Sequence, residues 1–218
     1  LAHEIKNPLT PIQLTIDKLK NKYSEKINVN EKEKFKEYLE IINKQIKQIE
    51  NLVNQFSDFA RMPKPILKNN DIVKIIDENV KLLRQLDKKI IINFEPHEKK
   101  IIFNSDYEQI SRVFFNLIKN GIESIQEKLS QNSSFKGNIS IELNSQNNLI
   151  EIVIIDNGVG FSSLSNNIND ILKPYFTTKE KGTGLGLSIV NKIINDHNGT
   201  IMFIPIENGA KITIKFTK

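Results

Sequence analysis

Apolar residues in the first sixty positions recur at helical spacing. Ile5, Leu9, Ile12, Ile16, Leu19 and Tyr23 follow steps of four and three, and Phe35, Leu39, Ile42, Ile46, Ile49, Val53 and Phe56 repeat them. Such a seam predicts one helix over residues 1 to about 24 and a second over 35–56, joined by the polar stretch Ser24–Glu33. Pro8 and Pro11 each remove an N–H that a helix interior uses, so a bend is expected in the first turns. Tyr38, Ile41, Leu52 and Phe59 widen the second stripe beyond what one partner helix covers. Burying a large side chain is worth roughly 1.5–3 kcal/mol, so two such hairpins are expected to pair as a dimeric four-helix bundle.

Arg61-Met62-Pro63-Lys64-Pro65 ends the helical register, because closely spaced prolines bias the backbone to extended conformations. The expected division is therefore a helical hairpin over 1–61, a linker over 62–70 and a second domain over 71–218. There the pattern turns to mixed α/β. Asp71–Leu86 reads as a helix, with Ile90–Phe94 and Ile101–Phe103 as short strands. Ser105 followed by Glu108 reads as a capping box opening a helix to about Leu129. Ile139–Leu143 and Leu149–Ile155 predict a hairpin around Asn147-Asn148, and Thr200–Ile204 with Lys211–Phe216 a second one. Leu185–His197 reads as a helix ended by Asn198-Gly199. Phe161–Lys181 is long, polar and aperiodic, the profile of a functional lid or of a disordered segment.

Composition narrows the partners. Thirty-one basic residues against 26 acidic ones leave a net charge of +5, spread in Lys/Glu mixtures without a basic face interleaved with aromatics, so nucleic acid is not an expected ligand. The absence of cysteine excludes disulfides and thiolate metal sites. No apolar run approaches the ~18 residues of a membrane span. The chain starts two residues before His3, inside a motif, and is expected to be an N-terminally truncated piece of a longer protein.

Several constellations carry chemistry. If the first seam is taken as heptad positions a and d, His3, Glu4 and Asn7 fall on the outward side, with His3 and Asn7 one turn apart. An exposed imidazole offers a nucleophilic nitrogen, and a neighbouring carboxylate can accept the proton of the other nitrogen. Asn7 is placed to hold a water for the reverse, hydrolytic reaction. Alone, His3 reads first as a solvated surface histidine; the whole constellation favours the functional reading. Asp156-Asn157-Gly158-Val159-Gly160 closes an apolar strand, and a buried carboxylate beside two glycines suits the exocyclic amine of a base; the same residues also spell a type I′ turn. Gly182-Thr183-Gly184-Leu185-Gly186 opens a helix whose N–H groups and dipole favour an anion, or is a plain helix cap. Asn116 and Asn120 share a helix face, and an amide oxygen is a hard ligand for Mg²⁺; taken alone, they read first as two helix-surface asparagines in a chain rich in Asn. Lys179 on the lid reaches toward a terminal phosphate or is simply solvated. His97 reads as a turn residue and His197 as a helix C-terminus favouring partial positive charge.

In this order the motifs resemble the transmitter module of bacterial two-component sensor histidine kinases over essentially the whole chain. His3–Leu9 is similar to the phosphoacceptor box and Asn116–Asn120 to the N box. Asp156–Gly160 is similar to the G1 box, Pro174–Lys179 to the F box and Gly182–Leu187 to the G2 box. Leu9–Leu14, Phe59–Pro65 and Lys181–Thr183 resemble the NtrY-type nitrogen-regulation branch. The resemblance implies a dimerisation and phosphotransfer hairpin followed by a Bergerat-type (GHKL) ATP-binding α/β sandwich. It implies His3 as phosphoacceptor, Glu4 as base and Asn7 as phosphatase residue. It also implies that Asn120 binds Mg²⁺ with Asn116 beside it, that Asp156 reads adenine, and that the glycines of both G boxes hold the lid. ATP and Mg²⁺ are the implied cofactors, and an NtrX-like response regulator the implied partner. The implied location is the cytoplasmic part of a protein anchored in the membrane by segments absent from this chain. Two positions depart from the family pattern: Gly121 stands where alanine is usual, and Lys173 where an acid often precedes Pro174-Tyr175-Phe176. A GHKL-type ATPase and a nucleotide-binding scaffold without autokinase activity stand as alternatives.

Overall fold

The computed structural model describes residues 2–23, 27–60, 62–161, 168–177, 179 and 182–217, with the main chain alone at 2–7, 29, 30, 55, 58, 59 and 169. The chain divides into two units, Leu1–Met62 and Pro63–Lys218.

The first unit is a helical hairpin of α1 (Ala2–Tyr23) and α2 (Val29–Ala60). α1 continues through Pro8 and Pro11 as one element, and the Thr15 hydroxyl donates to the Pro11 carbonyl at 2.8 Å. α2 starts within the polar stretch read as a connector. The Asn28 carbonyl accepts from Glu31 and Lys32 N–H at 2.9 and 3.1 Å, and Glu31 puts negative charge at the positive end of the helix dipole. Leu9 and Ile16 pack on Leu39 and Ile46, with Phe35 partly covered. The alternate seam positions stay open: Ile12 is 45% exposed, Ile42 44% and Ile49 41%. A heptad seam has two flanks, and a single hairpin covers one of them. Ile5 and Phe59 of the expected stripe lie outside the described side chains.

The second unit begins with β1 (Lys68–Asp71), inside the stretch expected to be linker, and continues through α3 (Ile72–Leu83), β2 (Ile90–Phe94), β3 (Ile102–Ser105) and α4 (Tyr107–Gln131). There follow β4 (Gly137–Gln146), β5 (Leu149–Asp156), a 3-10 turn (Ile168–Leu172), α5 (Gly186–Asp196), β6 (Thr200–Ile206) and β7 (Gly209–Thr217). β1 pairs antiparallel with β3. Its Lys-Asn-Asn-Asp sequence has no apolar alternation to betray a strand; main-chain pairing and a 2.7 Å bond from the Asn70 amide to the Ser105 carbonyl hold it. The main sheet runs β2-β4-β5-β7-β6, with β2 parallel to β4 and the remaining pairs antiparallel.

α3, α4 and α5 pack on this sheet. Alternate residues on the strands face the helices: Ile139, Ile141 and Leu143 on β4, Ile150, Ile152 and Ile154 on β5, and Ile212, Ile214 and Phe216 on β7, all buried. Phe114, Leu117, Ile118 and Ile125 of α4 fill the middle of the layer. The turn between β4 and β5 has Asn147 and Asn148 at φ 48° and 64°, the left-handed pair of a type I′ hairpin.

Two local expectations are corrected. The cap of α4 is Asp106, whose Oδ1 accepts from Gln109 N–H at 3.1 Å; Ser105 is a buried strand end bonded to the Phe103 carbonyl. A carboxylate one residue nearer the helix displaces the hydroxyl from the role. His197 is no partial cation at a helix end. It is buried, its Nδ1 donates to the Ile193 carbonyl at 2.7 Å, and its Nε2 accepts from Asp106 N–H at 3.0 Å, an arrangement that requires the neutral ring.

Candidate functional site

α4 forms a wall on which the motifs of the second unit converge. Asp156 ends β5 only 6% exposed, and one of its oxygens accepts from Gly158 N–H at 2.9 Å. Burial pushes its carboxyl up to about 6, against the opposing pull of the Gly158 and Ala210 amides and the charges of Lys128 and Lys179. A Cβ on Gly121 would stand 3.7 Å from Asp156 Oδ2, so the glycine at this position borders the carboxylate directly. Gly158 lies against the same helix. A Cβ there would meet the Ser124 carbonyl carbon at 2.7 Å and Ile125 N at 2.8 Å, so only glycine lets the turn approach. Val159 N–H donates to the Ser124 hydroxyl at 3.0 Å, and Gly160 follows at φ 69°.

One turn earlier on α4, the Asn116 amide donates to the Arg112 carbonyl at 2.8 Å, and its Oδ1 stands 3.5 Å from where a Cβ on Gly186 would be. Asn116 thus faces the first turn of α5. Asn120 lies between these two contacts, half-buried, and its amide makes no hydrogen bond among the described residues. One turn further on, Glu123 pairs with Lys179 and, at 3.8 Å, with Lys119. The lysine expected to reach a phosphate is therefore held at a carboxylate on the same wall.

The glycine run approaches from the other side. Gly182 N–H donates to the Lys179 carbonyl at 3.0 Å. Gly184 adopts φ 67° with its carbonyl accepting from Tyr175 N–H at 3.0 Å, and a side chain there would strike the Tyr175 and Phe176 backbone. This contact fastens the Pro-Tyr-Phe segment to the glycine run, with the half-buried Thr183 just before it. Lys173, the departure in that segment, pairs with Asp170 at 2.7 Å. Leu185 is fully buried and caps α5 without a side-chain hydrogen bond, so among the described residues no side chain caps the positive end of that helix. Residues 162–167, 178, 180 and 181 of the expected lid lie outside the described residues.

His3, Glu4 and Asn7 are in the first two turns of α1, in the other unit, and their side chains lie outside the described residues. The second unit by itself brings together a buried carboxylate, two amides on one helix face and an uncapped helix N-terminus. Those groups match, in turn, an exocyclic amine, a hard cation and a phosphate.

Residues 105–218 match the family of histidine kinase-, DNA gyrase B- and HSP90-like ATPases, and residues 1–65 match the His kinase A (phosphoacceptor) domain. The nitrogen regulation protein NtrY of Azorhizobium caulinodans is 38% identical over all of this chain and 28% of its own length. An NtrY-like sensor histidine kinase of Rickettsia felis is 37% identical over 99% of this chain and 35% of its own length. The chain belongs to the NtrY-type sensor histidine kinases. It spans about a third of the length of these relatives. The histidine kinase ThkA, solved in complex with the response regulator protein TrrA, aligns over the whole chain and 59% of its own, with a TM-score of 0.67 and 25% identity.

Within this histidine kinase core, three residues that touch the Asp156 turn carried no sequence signal. Ser124 and Lys128 are ordinary polar residues on the outward pattern of α4, and Gly209 opens β7 just after the turn from β6. The Asn157 amide bridges the Asn138 N–H (2.8 Å) and the Lys136 carbonyl (2.9 Å). Gly209, at φ 124°, presses on the Asp156 carbonyl. Pairing of β5 with β7 sets Asp156 opposite Ala210, and only that long-range register brings the β6–β7 turn to the site.

Proposed function

We propose that this chain transfers the γ-phosphate of ATP to His3 and passes it to an aspartate of a response regulator. The observation that carries the reading is the convergence on α4 of Asp156, Asn120, Asn116 and the uncapped start of α5, in a chain whose first unit matches the phosphoacceptor domain. Asp156 in its ionised form accepts the exocyclic amine of adenine through the oxygen beside Gly121. Gly158, Gly160, Gly182, Thr183, Gly184, Leu185 and Gly186 shape the two loops around the nucleotide, and the free N–H groups of α5 face its phosphates. Lys179 exchanges Glu123 for the terminal phosphate. A neutral nitrogen of His3 attacks the γ-phosphorus while ADP leaves, and Glu4 takes the proton from the other ring nitrogen. Asn7 orients a water for hydrolysis of the phosphohistidine or the phosphorylated partner, giving phosphatase activity.

The residues present fit a Mg²⁺ ion. Among the described residues the Asn120 amide makes no hydrogen bond, and Asn116 donates its NH₂ to the Arg112 carbonyl while its Oδ1 accepts none. Asn120 would hold the ion with Asn116 beside it, and the ion would neutralise charge on the phosphates.

The open flank of the hairpin supports a homodimer, with Ile12, Ile42 and Ile49 pairing against a second copy. The ThkA complex supports a response regulator as partner, and the likeness to NtrY supports an NtrX-like one. Among the described residues no helix is long and apolar enough to cross a membrane. The reading places this core on the cytoplasmic side of a longer, membrane-anchored protein.

The test is incubation with γ-labelled ATP and Mg²⁺, beside His3→Gln and Asp156→Asn. Label that survives alkali, is lost in acid and disappears in both variants is the expected result. Label that persists in His3→Gln would refute His3 as acceptor.

A further inference from the structure

Lys128 sits in the last turn of α4, two turns beyond Asn120, and no motif includes it. Its ammonium donates to the Asn157 carbonyl at 2.9 Å and the Gly158 carbonyl at 3.2 Å, and stands 4.6 Å from the centroid of the Phe135 ring. The two carbonyls directly follow Asp156, in a turn too tight to pair them with a strand. One ammonium, with three donors, satisfies both. The rest of the turn is tied by neutral bonds from Asn157 to Asn138 and Lys136 and from Val159 to Ser124, and by the Gly158 N–H to the Asp156 carboxyl itself. These fix the ends of the turn against β4 and α4. Lys128 fixes its middle, with a charge-assisted pair of bonds stronger than the neutral ones.

We propose that Lys128 is a positioning residue of the nucleotide site, clamping the Asn157 and Gly158 carbonyls so that the Asp156 carboxylate is held where the base docks. The inference rests on the reading of Asp156 as the group that accepts the base. Gly158 is the pivot, because its N–H donates to Asp156 while its carbonyl is held by Lys128. Releasing the carbonyl lets the peptide units on either side rotate and loosens the N–H bond to the carboxylate. The same cation favours the ionised form of Asp156. The other charge acting on that carboxyl is Lys179, which Glu123 partly neutralises.

The experiment measures ADP–Mg²⁺ binding by calorimetry from pH 5.5 to 8 for the parent chain, Lys128→Met, Lys128→Gln, Lys128→Arg and Asp156→Asn, each checked for folding by circular dichroism. Loss of two charge-assisted hydrogen bonds is expected to weaken binding about tenfold at pH 7.5 in Lys128→Met and somewhat less in Lys128→Gln, while Lys128→Arg stays within about twofold. The midpoint of affinity against pH is expected to move up by about half a unit in Lys128→Met and to return in Lys128→Arg. A Lys128→Met chain that binds like the parent overturns the inference. So does one that is weakened equally at every pH without rescue by arginine, since that is the behaviour of a packing defect. If Asp156→Asn binds ADP normally, the base-recognition reading fails and takes the inference with it.

Discussion

Asp156 carries an opposition between stability and function that can be measured. Its carboxyl is displaced from 3.8 in the unfolded chain to about 6 in the folded one, burial being the largest cause. A raised carboxyl means that the folded state binds the proton more tightly than the unfolded state does. The stability this group contributes is therefore fully present below pH 3.8 and is lost as pH rises through 6. One unit of displacement is worth 1.36 kcal/mol, so the loss reaches about 3 kcal/mol at pH 7.5. Asp156→Asn is neutral throughout. Its oxygen can keep the Gly158 bond, while its NH₂ group replaces a second acceptor and shifts stability by an amount independent of pH. In the difference between two pH values that constant cancels, as do all other titrating groups. Urea unfolding of both proteins at pH 4 and pH 7.5 should then show Asp156→Asn gaining about 2.5 kcal/mol relative to the parent across the interval, because the unfolded carboxyl is already partly ionised at pH 4, with the change falling between pH 4 and 6. The parent's nucleotide affinity should fall about tenfold between pH 7.5 and 5, since only the ionised carboxylate accepts the amine without giving up a proton. A stability difference flat in pH would refute the reasoning, because it would mean that Asp156 titrates normally and is not desolvated.

Other predictions follow from the packing. Replacing Ile42 and Ile49 together by Asp places charge on the open flank of the hairpin and should turn a dimer into a monomer by light scattering, with the helical signal retained; an unchanged dimer would exclude that flank as the interface. Gly158→Ala sets a methyl group into the α4 backbone and should destabilise the second unit by about 2 kcal/mol or more while abolishing nucleotide binding; a variant that binds normally would contradict the close approach. His197→Phe leaves the Asp106 N–H and the Ile193 carbonyl without their partner, and should lower unfolding free energy by about 1–3 kcal/mol with little change in nucleotide affinity. A loss of affinity without a loss of stability would assign His197 to the site instead.

The parts legible in the sequence are those fixed by local pattern. The heptad of Leu9, Ile16, Leu39 and Ile46, the β4–β5 hairpin and the end of α5 at Asn198-Gly199 each follow from residues within a few positions of one another. β1 escaped because its pairing with β3 is made by main-chain groups across more than thirty residues, and the side chains of Lys-Asn-Asn-Asp carry no trace of it. The α4 cap was misplaced by one residue because Ser105 and Asp106 are both good caps, and the choice is settled by burial of Ser105 at the end of β3.

The same distinction separates the motif residues from the ones that hold them. Asp156, Asn120 and the glycine run are recognisable because their chemistry is unusual for their position: a buried carboxylate, an amide with no hydrogen bond among the described residues, a left-handed backbone at Gly184. Lys128, Ser124 and Gly209 use common residue types in common ways, and only the packing of α4 on the sheet and the register of β5 against β7 bring them to the Asp156 turn. That packing also explains Gly121. A Cβ there would lie 3.2 Å from Ile139 Cδ1 and 3.4 Å from Asp156 Cβ, so alanine fits only if the β4 side chain yields. Glycine at this position therefore leaves the carboxylate room on the α4 side.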